Sequence, residues 1–184
     1  MRNLQTWEHK IRPKLIRQFT PRIQQDLNSI KTPKLPAEVE STYLYGDTEV
    51  GKTIYACLLL LQEYKNIYMT GNISDNRLLF VSFPEMFLEI KNTFNTTDNS
   101  ESQVLDKYKD ADLLVLDDFG VKSLSDWALE LLYIIINHRY EFNKKTIITS
   151  NHSLQELAGI LEDDRIPSRI ERMCSISKKI KNWK

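Results

Sequence analysis

The sequence has no apolar run long enough to cross a bilayer. Its longest, Ile54 to Leu61 and Leu131 to Ile136, fall far short of the roughly 20 residues a membrane-spanning helix needs. Residues 1 to 10 mix Arg2, Glu8 and Lys10 with polar side chains and lack the apolar core of a secretory signal, so a cytoplasmic protein with no membrane partner is expected. Cysteine is scarce. Cys57 and Cys174 stand far apart, with no second thiol or paired histidine near either, which argues against a zinc site and against a disulfide. Cys57 lies in an apolar helical run and reads as packing. Net charge is also lacking, with 25 basic against 25 acidic residues, but the balance is uneven along the chain. Residues 1 to 34 hold eight Lys or Arg against Glu8 and Asp26, residues 165 to 184 hold seven against Glu171, and residues 35 to 164 hold ten against 22 acids. Two basic ends on an acidic body can contact a phosphate backbone, an acidic protein or a neighbouring subunit.

What is present describes one soluble core. A length of 184 residues suits a single domain with short extensions, and 41% hydrophobic with 27% charged residues is ordinary for a globular chain. Residues 1 to 31 carry spaced apolar positions broken by Pro13 and Pro21, which predicts short helical pieces. Strands are expected at Thr42 to Tyr45, Leu79 to Phe83, Leu113 to Leu116 and Thr146 to Thr149, and helices at 53 to 64, 84 to 93, 103 to 109 and from Ser125 onward. The alternation of strand and helix predicts an α/β fold with a central parallel sheet flanked by helices. A short basic helical extension over 1–41 and an α/β domain over 42–184 are expected from this reading.

Gly46, Asp47, Thr48, Glu49, Val50, Gly51, Lys52 and Thr53 fit the pattern G-x-x-x-x-G-K-[ST]. In such a loop backbone N–H groups wrap phosphates, and the helix N-terminus adds a favourable dipole. Lys52 would neutralise β- and γ-phosphate oxygens, and the Thr53 hydroxyl would coordinate Mg²⁺. The context reinforces the pattern, since a strand precedes it and a helix follows. Asp117 and Asp118 follow the apolar run Leu113 to Leu116, some 65 residues past the lysine, and would emerge at the carboxyl edge of the sheet where α/β folds bind ligands. Asp117 would hold the Mg²⁺ shell and Asp118 would polarise the attacking water. Asn151 ends a third strand and is either a water or γ-phosphate contact or a helix cap; Ser153 is an equally good cap, which favours the nucleotide role.

Five segments in this order, Tyr-Gly-Asp…Gly-Lys-Thr, Leu-Leu-Val-Leu-Asp-Asp-Phe-Gly, Ile-Ile-Asn-His-Arg-Tyr, Thr-Ser-Asn and Asp-Arg-Ile-Pro-Ser-Arg-Ile, resemble the DnaC-like helicase loaders of the AAA+ class, including phage-encoded ones. The similarity covers about Thr42 to Cys174. It implies an AAA+ P-loop ATPase core that binds ATP and Mg²⁺, with Asn151 as the sensor-1 residue. It also implies that Arg169, with Arg165 beside it, occupies the arginine-finger segment and reaches the nucleotide of an adjacent subunit. Read without the family, Arg165 and Arg169 are simply a basic i, i+4 face. The family's extra helical element for single-stranded DNA would fall between Pro84 and Lys109, where Lys91, Lys107, Lys109, Phe87 and Phe94 are available for contact or, for the aromatics, for the core. The implied partners are a replicative DNA helicase, single-stranded DNA and further copies of the chain.

Three departures limit that transfer. Glu49 stands where the family commonly has glycine. The C-terminal lid is expected to be small or missing, with Lys184 the only counterpart of a sensor-2 residue. The N-terminal region lacks the cysteine cluster of some relatives, so partner specificity does not carry over. An alternative function is a transposition helper similar to the IstB family, acting on duplex DNA with a transposase. A third is an interaction protein that binds nucleotide and barely hydrolyses it.

Overall fold

A single parallel sheet of five strands organises the chain, in the order β2-β3-β4-β1-β5. The strands are β1 (Thr42–Tyr45), β2 (Leu78–Ser82), β3 (Leu113–Phe119), β4 (Lys145–Ser150) and β5 (Ile176–Lys179). The structure is a computed structural model that describes residues 3–31, 33–71, 77–93, 100–120 and 124–179. Alternate side chains of the central strands enter two cores. Tyr43, Leu114, Leu116 and Ile148 face one, while Leu44, Leu113, Val115 and Ile147 face the other. Both faces are covered, which is why β3 reads as an unbroken apolar run rather than an alternating one.

Helix α4 (Lys52–Thr70) covers the second face through Ala56, Leu59 and Leu60. The first face is covered by α5 (Phe83–Asn92), α6 (Ser100–Asp110), α7 (Asp126–Glu141), α8 (Leu154–Leu161) and α9 (Arg165–Met173). The caps expected from the sequence are in place. The Ser125 side chain accepts from Ala128 N–H, and Ser153 forms a reciprocal capping box with Glu156. Ser82 and Glu85 form a second box that starts α5 one residue before Pro84, so Phe83 belongs to the helix and not to β2.

The N-terminal region corrects one expectation. Pro13 does not end a helix. A π-helical stretch, Trp7–Ile11, joins α1 (Leu4–Thr6) to α2 (Arg12–Ile16), with Arg12 N–H reaching back to Trp7 C=O. Widening the turn at this point accommodates a proline that has no N–H to donate. Pro21 behaves as expected and opens α3 (Pro21–Ser29). Ile16 and Leu27 pack on Ile54, Cys57, Leu58 and Leu61 of α4, so these helices share a core with the phosphate-loop helix. Cys57 is fully buried, and burial pushes its thiol pKa up, in keeping with a packing role.

Two further differences bear on the site. β3 runs to Phe119 instead of stopping at Leu116, with an irregularity against β4 between Leu116 and Phe119 and a left-handed Asp118 (φ 57°). β5, which pairs with β1 from Thr42↔Ile176 onward, was not expected at all. Four residues, two of them lysine, give no apolar periodicity by which to find a strand.

Arg139 of α7 is also fully buried. Its Nε donates to Thr146 Oγ1 at 2.9 Å, Nη1 to the carbonyls of Tyr108, Lys109 and Ala111 at 2.8, 3.1 and 3.0 Å, and Nη2 to that of Lys145 at 2.5 Å. One guanidinium thus satisfies two last-turn carbonyls of α6, those of Tyr108 and Lys109, with that of Ala111 just beyond it, and fastens them to the start of β4.

Candidate nucleotide-binding site

Strands β1, β3 and β4 deliver their carboxyl ends to one place, beside the point where the chain leaves β1 for β2 on one side and leaves β4 for β5 on the other. This is the topological position at which open parallel sheets bind ligands. After Tyr45 the chain turns through Gly46–Gly51 into α4. Gly46 (φ 142°) and Gly51 (φ 99°) occupy conformations that favour glycine, and so does position 49, where Glu49 takes φ 63°. A non-glycine residue there costs about 1–2 kcal/mol.

Lys52 is the hub. Its side chain is mostly buried, and Nζ donates to Gly46 C=O at 2.8 Å, to Asp47 C=O at 2.6 Å and to Asn151 Oδ1 at 2.9 Å. Burial lowers its pKa, while Asp118, Asp117 and Asp47 pull it back up. Next to it the Thr53 hydroxyl donates to Asp117 Oδ1 at 2.9 Å, and the Thr149 hydroxyl donates to the same oxygen at 2.6 Å. Burial raises the Asp117 pKa, and the two hydroxyls from Thr149 and Thr53 oppose that rise. Thr149 Oγ1 in turn accepts from Asp118 N–H at 2.9 Å, tying the irregular end of β3 to β4. The neighbouring aspartates are therefore unlike: Asp117 is buried and fastened, whereas Asp118 is exposed.

Lys52, Thr53, Asp117, Asp118 and Asn151 line one cavity of about 430 Å³, together with Thr48, Glu49 and Gly51 of the loop. This is within the usual size of small-molecule sites. A phosphate-binding loop at a helix N-terminus, a buried ammonium and an adjacent hydroxyl–carboxylate oxygen pair suit a polyphosphate with Mg²⁺. Among the described residues no group of three His, Cys, Asp or Glu forms a metal centre, so a cation here would share its ligands with phosphates. The loop, the two aspartates and Asn151, which the sequence singled out separately, are thus brought together. Thr149 was not singled out for its hydroxyl. The cavity also takes a wall from α3, including Arg22, Ile23 and Asp26, that no motif signals.

Arg165 and Arg169 lie elsewhere. Both guanidiniums sit over the Tyr133 ring, at 4.5 and 4.7 Å from its centroid. Arg165 makes a two-pronged contact with Asp163, at 3.0 and 2.7 Å, while Arg169 donates to Asn137 Oδ1 at 2.5 Å and to Tyr133 OH at 2.9 Å. Of the groups named for DNA contact, Lys107 pairs with Glu89 at 2.7 Å and Lys109 with Asp106 at 2.9 Å. Phe87 packs on Phe83 and Trp127, and Lys91 is exposed. Phe94 and Lys184 lie outside the described residues. Among the described residues no helix is long and apolar enough to cross a membrane.

Similarity to known proteins agrees with this geometry. The chain is 30% identical over 103 residues to the phage-like element PBSX protein XkdC of Bacillus subtilis (strain 168), covering 53% of this chain and 36% of that protein. It is 29% identical over 116 residues to the replicative helicase loader DnaI of the same organism, covering 62% of this chain and 34% of the loader. The chain thus spans well under two thirds of these relatives' lengths. Among solved structures, the DnaC helicase loader superposes with a TM-score of 0.65 at 26% identity, over 90% of this chain and 96% of that one. DnaI gives 0.63 at 26%, over 87% and 84%. These neighbours share the AAA+ core of parallel sheet and flanking helices. Residues 11–181, almost the whole chain and the whole of the cavity just described, match the model of one family: the chain belongs to the IstB-like ATP binding proteins.

Proposed function

We propose that the chain is an ATP-dependent loader of a replicative DNA helicase, which binds ATP with Mg²⁺ in the cavity around Lys52, holds single-stranded DNA and self-associates through the nucleotide. The observation that carries the chemistry is the joining of three strand ends by Lys52–Asn151 and Thr53–Asp117 contacts. Lys52 would exchange its loop carbonyls for β- and γ-phosphate oxygens, keeping a charge-assisted contact throughout. Thr53 and Asp117 would supply oxygens to Mg²⁺, whose charge offsets the burial that raises the Asp117 pKa. Asp118, exposed on the cavity wall, would polarise the attacking water, and Asn151 would orient that water or the γ-phosphate. Arg169 would reach the nucleotide of a neighbouring subunit, with Arg165 beside it. Hydrolysis would remove the bridge between Lys52 of one subunit and Arg169 of the next, and so release the assembled state.

The loader reading is supported by likeness to DnaC and DnaI over most of the fold. A second reading, a transposition helper acting on duplex DNA with a transposase, is favoured by one observation, the IstB-like family match itself. Capture distinguishes them. The Asp118→Asn protein, held with ATP in extract of its native cell, is expected to retain a replicative helicase. Retention of a transposase without helicase would replace the loader reading with the transposition one.

A further inference from the structure

We infer that Arg22 is a nucleotide-binding residue, carried to the phosphate loop by α3, and that its charge offsets the carboxylate of Glu49. The inference rests on the reading of the cavity as a nucleotide site. Arg22 and Glu49 line that cavity together, with Arg22 Nη2 3.9 Å from Glu49 Oε1. Both side chains are largely exposed, 79% and 82%, so they stand at the rim where a polyphosphate enters and are not locked to each other.

Two features of α3 point to an anion. Arg22 is the second residue of a nine-residue helix, and the first turn holds no acid. A cation beside the positive end of the helix dipole goes against ordinary helix preference, and such local conflicts gather at functional sites. The helix is also held in position: Leu27 is buried and Ile23 packs in the cluster formed with Ile54 and Leu58 of α4. Across the gap, Glu49 brings a negative charge to a loop whose task is to hold phosphates, in a left-handed turn where glycine would relieve strain. Together with the dipole, Arg22 supplies the opposite charge at the same rim. The specificity that follows is for the more highly charged nucleotide, so the effect is greater for a triphosphate than for a diphosphate.

Four full-length proteins test this by titration with Mg-ATP and Mg-ADP: wild type, Arg22→Ala, Glu49→Gln and the double variant. Glu49→Gln keeps the strained backbone and removes only the charge. Arg22→Ala is expected to weaken ATP binding about fivefold, Glu49→Gln to tighten it by a comparable factor, and the double variant to return near wild type. Both single-variant effects should shrink at 0.5 M salt, and Arg22→Lys should recover most of the loss. Wild-type affinity in Arg22→Ala overturns the inference, as does a loss that neither salt nor lysine alters, which marks a structural role. Absence of ATP binding by the wild type overturns both this inference and the nucleotide reading, whereas tight wild-type binding with an inert Arg22→Ala removes only this one.

Discussion

Replacing Arg139 with methionine is expected to lower the unfolding free energy by about 3–5 kcal/mol. Methionine has similar length and fills much of the space, so loss of packing is limited. What is lost is the partner of four backbone carbonyls and the Thr146 hydroxyl, in a place without solvent. A buried acceptor left unsatisfied costs about 1–3 kcal/mol, and relaxation of the α6 end recovers part of the total. Burial lowers the Arg139 pKa to about 10, with Asp110 and Asp112 pulling it back up, so the guanidinium remains charged at neutral pH. Its positive charge also suits the C-terminal end of the α6 dipole. Urea unfolding of both proteins measures the difference, and a loss below about 1 kcal/mol would show that the carbonyls find other partners. Since Arg139 fastens α6 to the start of β4, and β4 carries Thr149 and leads into Asn151, nucleotide binding should fail together with the fold.

Arg169→Ala is expected to leave ATP binding intact and to reduce turnover about a thousandfold, within the range seen for arginine fingers. Binding survives because Arg169 is not part of the cavity that holds Lys52. Turnover would fall because, on the proposed reading, the charge developing on the γ-phosphate loses a cation that the neighbour supplies. On its own subunit the side chain is held by Asn137 and by the ring and hydroxyl of Tyr133, and in the proposed assembly it would meet the neighbour's nucleotide from there. Mixing Arg169→Ala with Lys52→Ala should restore part of the activity, since each protein supplies the half that the other lacks. No recovery under conditions where the two co-assemble would return Arg165 and Arg169 to the role of a basic helix face.

Most of the sheet was legible because its strands are buried on both sides and carry apolar runs with little ambiguity. The grouping of the candidate site was legible for a different reason: the loop Gly46–Thr53, Asp117 and Asn151 each stand at or just past the end of a strand of a parallel sheet, so the motif order brings them to one sheet edge and one cavity. The rest depended on packing that no local signal encodes. β5 is a short lysine-bearing segment that becomes a strand only because β1 offers it an edge. Pro13 looks like a helix breaker until the π-helical turn before it absorbs the missing donor. Arg22 sits in a basic N-terminal stretch that resembles any solvated face, and its nearness to the loop follows from the burial of Leu27 and Ile16 against α4. Lys107 and Lys109, named for DNA contact, form ion pairs with Glu89 and Asp106 that a DNA phosphate would have to replace, and no local sequence signal announces those pairs.

The central claim is that the cavity around Lys52 binds and hydrolyses Mg-ATP. Its most direct test is to measure ATP binding and phosphate release for the wild type, Lys52→Ala and Asp118→Asn under the same conditions. Wild type is expected to bind and turn over, Lys52→Ala to lose both, and Asp118→Asn to bind with turnover lowered about a hundredfold or more. Equal binding and equal phosphate release in all three proteins would contradict the account.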